Sequence, residues 1–279
     1  MSNDPAAVPP GPLLVDLGNA PGARGTDPLL VCIPFAGGEA ADYTPLARDL
    51  DIHGVPIRVF GVALPGRTGR DPRPPLPLDR LVRQLADEVA ERAADAPVLV
   101  LGHGAGALAA LRLTRALEAR NVPVDRLIIV ANLLRSADQA GPTADDAAIL
   151  GRLEADTGPA GGAGLGPRER AELAEAFRYD TAQAIYALRR ALAAVAGHRV
   201  AAPATIVLAR DDAQMAGYPA AVGNWDLFVP QRRLVVAEHG GHYLHLTRTG
   251  LLAEAIERDL AALRPAPDWQ FGVRPRACA

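Results

Sequence analysis

A glycine-rich turn is the first place in this chain where chemistry is expected. The motif GHGAG at residues 102–106 follows an apolar run at 98–101 and precedes an alanine- and leucine-rich segment, an order that predicts strand, tight turn and helix. Two kinds of site use such a turn: the nucleophile elbow G-x-S-x-G and the dinucleotide fingerprint G-x-G-x-x-G/A. Gly104 stands where the elbow has its serine, and the run from Gly102 to Ala107 satisfies the dinucleotide pattern.

The strand that follows the turn argues against a dinucleotide site. A dinucleotide fold needs Asp or Glu at the end of that strand to bind the ribose hydroxyls. Here the strand LIIVAN ends in Asn132. The fingerprint also usually opens its domain, whereas a complete strand–turn–helix–strand–helix unit precedes this turn. We therefore expect an elbow, and a dinucleotide-binding Rossmann protein stays a remote alternative.

The elbow hypothesis predicts three partners elsewhere in the chain, and the sequence contains all three. An oxyanion loop is expected after an earlier strand, an acid after a later strand and a histidine after the last strand. IPFAGG at 33–38 fits the loop, Asp211 or Asp212 ends the strand TIVLARDD, and His242 follows the final strand. The order nucleophile position, acid, histidine is the one that an α/β-hydrolase elbow requires.

Glycine at the centre of an elbow keeps the turn and removes the hydroxyl. The central residue has strained backbone angles, which glycine adopts without a side-chain penalty, so Gly104 preserves the geometry. The backbone N–H groups of Ala36 and Ala105 are expected to form an oxyanion hole. Because nothing at the elbow can carry an acyl group, catalysis would depend on His242 as a general base.

Few residues are available to replace the missing serine. The chain has two serines, Ser2 in the N-terminal segment and Ser136 just beyond the fourth strand, where a cap or hinge role is expected. Cys32 lies within the first strand, where a cysteine is usually a small core residue. His103, directly before the turn, is expected to pack beneath it. The absence of lysine excludes a Schiff base.

Three histidines near the C-terminal motif raise the possibility of a metal site. His239, His242 and His245 are spaced by three residues. They span a strand end, a Gly-Gly turn and a helix start, so they are not expected to share a face, and no carboxylate partner is evident. We expect no metal and no cofactor.

Strands and helices alternate along the chain, and this alternation predicts an α/β protein with a mostly parallel sheet and helices on both faces. The helix at 78–94 has apolar residues at helical spacing, with Asp79 expected as its N-cap. Strands are predicted at 28–35, 56–66, 96–102, 125–132, 204–212 and in RRLVVAE, and further helices at 36–50, 107–121 and 250–263.

The pattern is interrupted once, between about residues 133 and 203, where no strand is predicted. This helical insertion, taken as about 136–200, is interpreted as a lid over the sheet. We expect a flexible N-terminal arm at 1–27, a single domain at 28–265 and a C-terminal tail at 266–279.

Composition excludes several classes of protein. The chain is 49% hydrophobic, has a net charge of −3 and contains two cysteines. No basic surface suggests nucleic acid or anionic lipid, and two cysteines do not make a disulfide framework. The N-terminus does not have the pattern of a signal peptide, and no apolar run reaches membrane-spanning length. We expect a cytoplasmic monomer.

With these motifs, the sequence resembles the stand-alone (type II) thioesterases of nonribosomal peptide and polyketide synthesis. The resemblance extends from about residue 28 to 263 and implies an α/β-hydrolase fold. It also implies a substrate held as a thioester on the phosphopantetheine arm of an acyl- or peptidyl-carrier protein. Arg67 and Arg70 could contact the phosphate of that arm, although a surface position is their default. The matching stretches are LLVCIPFAGGEAADYTPLARDL, GVALPGRTGR, VLVLGHGAGALAALRLTRALEARN, IVLARDD and VVAEHGGHYLHL.

The triad of this family carries over with one departure. Gly104 occupies its serine position, and His242 matches its histidine. Asp212 is the best match to its acid, with Asp211 as second choice. Related thioesterase domains that are fused to synthetases have their acid near the position of Ala131, which is not acidic. The type II arrangement is therefore the one retained, without its nucleophile.

We expect a thioesterase-like enzyme of natural-product synthesis that acts on a carrier-bound or released acyl or peptidyl chain. His242, oriented by Asp212, would be the general base for hydrolysis, cyclisation or proton transfer. The alternative is a catalytically inactive homologue that binds a carrier protein or an acyl chain.

Overall fold

The computed structural model describes residues 11–19, 25–67, 73–135, 146–157 and 165–263. A seven-stranded sheet runs through the molecule in the order β1-β3-β2-β4-β5-β6-β7. Among the described strands, only β1 is antiparallel, to β3, and the remaining pairs are parallel. The strands are β1 (Leu14–Asn19), β2 (Leu29–Ile33), β3 (Arg58–Val62), β4 (Val98–His103), β5 (Arg126–Val130), β6 (Ala204–Ala209) and β7 (Arg232–Ala237).

Helices cover both faces of the sheet, which confirms the predicted fold class. One apolar cluster joins the sheet to α2 and α3, and a second joins it to α1 and α8. The inner strands are buried on both faces, as their continuous apolar sequences indicate. The helices are α1 (Thr44–Ile52), α2 (Leu78–Ala93), α3 (Gly106–Glu118), α4 (Asp146–Thr157), α5 (Pro167–Ala193), α6 (Tyr218–Ala221), α7 (Leu244–Thr247) and α8 (Thr249–Leu263).

The topology gathers the predicted site residues at one edge. In a parallel sheet the carboxyl ends of the strands lie together, and ligands bind in the crevice outside them. The loop after β2 and the turn after β4 therefore lie at the same edge as the segments after β6 and β7. Helices α4 and α5 are inserted between β5 and β6, and α5 packs against α3 at this edge.

Two expectations are corrected by the structure. Residues 1–27 were expected to form a loose arm, but Leu14–Asn19 forms the edge strand β1, held by β3 and by the Glu88 carboxylate, which accepts from the backbone N–H groups of Leu13 and Leu14. The Pro, Gly and Ala content of this segment is typical of a loop. The strand is stabilised by partners that are distant in sequence, so no local pattern indicates it. Asp79 was expected to cap α2, but Pro77 is the N-cap and Asp79 lies in the first turn.

Other expectations fall on parts of the chain outside the described residues, namely Ser2, Ser136, Arg70 and the tail at 266–279. Within the described ranges, none of the helices combines the length and the apolar character needed to cross a membrane.

Candidate active site

The turn between β4 and α3 has the backbone geometry of an elbow. Gly104 has a φ of 52°, in the left-handed region. The N–H of Gly104 donates to the carbonyl of Val130, 2.9 Å. The carbonyl of Gly104 accepts from the side-chain amide of Asn132, 2.8 Å. Asn132 stands at the strand end where a dinucleotide site would need an acid. Its amide instead stabilises the turn by bonding to the Gly104 carbonyl.

The three glycines of the turn are packed differently. A Cβ atom added to Gly102 would lie 2.5 Å from the carbonyl oxygen of Gly106, and one added to Gly106 would lie 2.3 Å from that of Pro34. Both distances are too short for a side chain. A Cβ at Gly104 would meet only His242 Nε2 at 3.6 Å and the Cβ of Phe35 at 3.7 Å, which are ordinary contacts. A side chain at position 104 therefore has space and would point at His242.

His242 and Asp212 form a buried hydrogen-bonded pair. The Nδ1 of His242 lies 2.8 Å from Oδ2 of Asp212, and the two side chains are only 10% and 2% exposed. The second oxygen of Asp212 accepts from the N–H of Gln214, 2.8 Å. With Nδ1–H donated to the carboxylate, Nε2 keeps its lone pair and is the nitrogen next to Gly104.

Asp211, the second choice for the acid, lies in a different position. Its carboxylate accepts from the backbone N–H groups of Gly241, 2.9 Å, and Gly240, 3.2 Å. These amides, that of Gly241 first, hold the pKa of the Asp211 carboxyl below its usual value. Asp211 therefore secures the loop that carries His242 and does not contact the imidazole.

Two further histidines are buried beneath the site. The Nε2–H of His103 donates to the carbonyl oxygen of His242, 2.9 Å, as a residue packed under the turn would. The ring of His245 packs against His103 with centroids 4.6 Å apart. Burial lowers the pKa of His103 well below its usual value and that of His245 to about 3, and the charges of neighbouring histidines add to both effects.

Cys32 does not face the site. It lies among the apolar residues between the sheet and helices α1 and α8, and it is fully buried. Burial alone raises the pKa of its thiol far above the usual range, so a thiolate nucleophile is not available.

The loop after β2, which the sequence predicts as an oxyanion loop, is tied to helix α5. The N–H of Gly37 donates to Oδ2 of Asp180, 2.8 Å, and the same oxygen pairs with Arg67. The Nε of Arg67 also donates to the carbonyl of Gly38, 3.2 Å. Arg67 was expected at the surface, but it is 7% exposed, because Asp180 and the Gly38 carbonyl satisfy its guanidinium inside the protein.

An apolar pocket lies between the elbow and helix α5. Ala105 and Gly106 form its floor at the start of α3, and Asp180 and Gln183 are among the polar side chains of α5 in its wall. The remaining lining is largely aliphatic and comes from Ile33, Pro34, Leu64, Pro65, Leu76, Leu78, Leu81, Ala109 and Ala184. The pocket therefore reaches Ala105, the residue after Gly104, while Gly104 and His242 themselves are not among its lining residues.

The sheet order, the elbow and the acid and histidine that follow later strands define an α/β-hydrolase fold. The family model of the thioesterase domain matches residues 28–260, and the chain belongs to this family. No curated protein sequence matches this chain.

Solved structures of thioesterases share this fold. The RedJ thioesterase of the prodiginine pathway of Streptomyces coelicolor is 23% identical, with a TM-score of 0.66 over 92% of this chain and 91% of that one. The type II thioesterase YbtT of the yersiniabactin pathway is 24% identical, with a TM-score of 0.65 over 90% and 98%. The borrelidin type II thioesterase BorB is 22% identical, with a TM-score of 0.66 over 89% and 97%.

Proposed function

We propose that this protein hydrolyses the thioester of a carrier-bound acyl or peptidyl chain in natural-product biosynthesis, without a serine acyl-enzyme. One observation carries the proposal: His242 Nε2 lies 3.6 Å from the Cβ position of Gly104, while its Nδ1 is held by Asp212. A basic nitrogen thus faces the elbow at a point where no side chain stands. The structural likeness to type II thioesterases supports this choice of substrate class.

The proposed chemistry begins with water beside His242. Nε2 accepts a proton from the water, whose oxygen attacks the thioester carbonyl and forms a tetrahedral oxyanion. Asp212 stabilises the imidazolium through its hydrogen bond to Nδ1. The C–S bond then breaks, and the proton on Nε2 passes to the departing sulfur, so that the products are a carboxylic acid and a free thiol.

The oxyanion is assigned to the backbone N–H groups of Ala36 and Ala105. Neither N–H donates to a protein acceptor in the part of the chain that the structure describes. Ala105 is the N-cap of α3, a 13-residue helix, so its N–H lies at the positive end of the helix dipole. Each such donor contributes on the order of 3 kcal/mol to an oxyanionic transition state.

Steady-state hydrolysis of acyl-pantetheine and acyl-carrier-protein thioesters tests the proposal. His242→Ala is expected to lower kcat/KM by about 10²–10⁴-fold, the usual contribution of a general base. His239→Ala is the matched control, because His239 is 76% exposed and lies three residues away. Intact-mass spectrometry during turnover should find no acyl adduct on the protein.

Three outcomes would contradict the proposal. An acyl adduct would mean that another residue acts as nucleophile. A ring-closed product, or exchange of the proton next to the carbonyl, would assign His242 to cyclisation or proton transfer. No turnover, together with measurable binding of the acyl-carrier protein, would favour a binding module, which Gly104 at the elbow would also suit.

A further inference from the structure

The apolar pocket beside the elbow has one wall with polar side chains, and all of them come from helix α5. Tyr179, Asp180 and Gln183 of α5 line it among aliphatic residues. Pockets for small ligands are mostly apolar, with a few placed polar groups that give orientation and specificity. The hydrogen bonds of Asp180 and Gln183 show which of their atoms remain for a ligand.

Asp180 has one carboxylate oxygen engaged and one available. Its Oδ2 accepts from the N–H of Gly37 and pairs with Arg67. Among the described residues no donor bonds to Oδ1, although the side chain is 16% exposed. Arg67 and Gly37 therefore fix the carboxylate in place and leave Oδ1 as an acceptor on a residue that lines the pocket.

Gln183 supplies the complementary group. Its Oε1 accepts from the backbone N–H of Leu78, 3.0 Å, which fixes the orientation of the amide and leaves its NH₂ as the remaining donor. Residues three apart on a helix lie on one face, so Gln183 and Asp180 are neighbours in the wall.

We propose that Asp180 and Gln183 form a subsite that binds a hydroxyl group on the acyl chain. A hydroxyl both donates and accepts, so it can donate to Asp180 Oδ1 and accept from the Gln183 amide. A methylene group at the same place would leave both polar groups unpaired in an apolar pocket, which is unfavourable. The inference rests on the proposed function in that the pocket receives an acyl chain.

The charge balance favours a hydroxyl over an ammonium group. Arg67 neutralises the single carboxylate of the wall, so a bound cation would have no uncompensated charge to meet. Burial raises the pKa of the Asp180 carboxyl, while Arg67 and the Gly37 N–H oppose that rise. The pair therefore offers a hydrogen-bond acceptor rather than a net negative site.

Calorimetric titration of the full chain with uncleavable analogues tests the subsite. The probes are pantetheine ketones, in which CH₂ replaces the thioester sulfur, with hexanoyl, 3-hydroxyhexanoyl, 4-hydroxyhexanoyl or 5-hydroxyhexanoyl chains. At least one hydroxylated analogue is expected to bind about tenfold more tightly than the hexanoyl analogue, as for a hydrogen bond to a charged group. Gln183→Leu should reduce this ratio.

A paired substitution removes the acceptor without leaving a buried charge. Arg67→Leu combined with Asp180→Leu should bring the ratio close to one. Asp146→Asn on α4 is the control, because Asp146 is 53% exposed and is not among the residues that line the pocket. It should retain the wild-type ratio.

The outcomes separate this inference from the proposed function. Equal binding of all four analogues, or an unchanged ratio in both the single and the paired variant, overturns the subsite and leaves thioester hydrolysis standing. Absence of binding by every analogue overturns the pocket as an acyl site and the subsite with it. A hydroxyl preference in a protein that has no turnover supports the subsite and contradicts the proposed function.

Discussion

At the scale of single residues, the three glycines of the elbow are required for different reasons. Gly102 and Gly106 allow neighbouring backbones to approach within distances that a Cβ would violate. Gly104 is constrained only by its φ of 52°, which L-residues adopt at some cost. Backbone strain therefore opposes a side chain at position 104, whereas the space around the position is large enough to hold one.

Gly104→Ser is expected to create a hydrolase that works through an acyl-enzyme. The new hydroxyl would lie beside His242 Nε2, since the Cβ position is 3.6 Å from that nitrogen. We expect a rise in kcat/KM for acyl thioesters of at least about tenfold, and a loss of about 1–2 kcal/mol in the free energy of unfolding from the left-handed backbone. Turnover assays, intact-mass spectrometry and urea unfolding measure the three effects.

Gly104→Ala is the control for Gly104→Ser, because it adds the Cβ without the hydroxyl. It should show the same loss of stability and no gain in activity. If serine is tolerated but neither an adduct nor faster turnover appears, the alignment inferred for Gly104, His242 and the oxyanion amides is wrong.

At the scale of elements, the elbow requires helix α3 to pack closely under the loop that follows β2. A Cβ at Gly106 would lie 2.3 Å from the Pro34 carbonyl oxygen, and backbone cannot yield as a flexible side chain can. Gly106→Ala should therefore cost at least about 1–3 kcal/mol of stability, as overpacking does. Gly151→Ala on the exposed surface of α4 meets nothing within 4 Å and should stabilise by about 0.5–1 kcal/mol. Urea unfolding of both variants decides whether close packing is the cause.

The Arg67–Asp180 pair joins three elements, namely the loops after β2 and β3 and helix α5. Arg67→Leu leaves a buried carboxylate without its partner and should cost about 3–5 kcal/mol. Arg67→Leu combined with Asp180→Leu should recover part of that loss. Apolar residues can replace a buried pair, but the N–H of Gly37 and the carbonyl of Gly38 then lose their partners. A double-mutant cycle by urea unfolding measures the difference. A small loss for Arg67→Leu alone would mean that water already screens the pair.

The sequence predicted those elements whose signals are local, and it named candidate site residues whose catalytic roles stay a prediction. Short stretches of sequence are enough to recognise the elbow, the order of acid and histidine, and the alternation of strands and helices. Strand β1 was missed, because its partners β3 and Glu88 are distant in the chain. Whether Asp211 or Asp212 contacts His242 depends on how the chain bends after β6, which the structure shows and the sequence does not.

Partners separated by more than a hundred residues were beyond sequence reasoning. Asp180 meets Gly37 and Arg67 across 143 and 113 residues respectively. The bond from Gln183 to the start of α2 spans 105. Nothing in the pattern of α5 distinguishes these two polar residues from others on the same helix. Their position follows from how the insertion folds back over the sheet edge.

At the scale of the whole molecule, the buried histidines couple folding to pH. His103 and His245 are fully buried, and both ring nitrogens of His245, with Nδ1 of His103, have no hydrogen-bond partner within the described ranges. Burial disfavours their charged forms, so their pKa values are lowered in the folded state. The unfolded chain takes up protons near pH 6.5, as an ordinary histidine does, while the folded protein does not.

Stability should therefore rise with pH below about 6.5 and fall as acid is added, since the unfolded state binds more protons. Between pH 6.5 and the folded pKa of His245, about 3, each buried histidine contributes a slope of about 1.4 kcal/mol per pH unit. His245→Phe keeps a ring among Phe35 and Tyr43 and should remove one such slope. His53→Gln at the surface should keep both, so unfolding by urea at pH 5, 6 and 7 distinguishes burial of these rings from a general effect of acid.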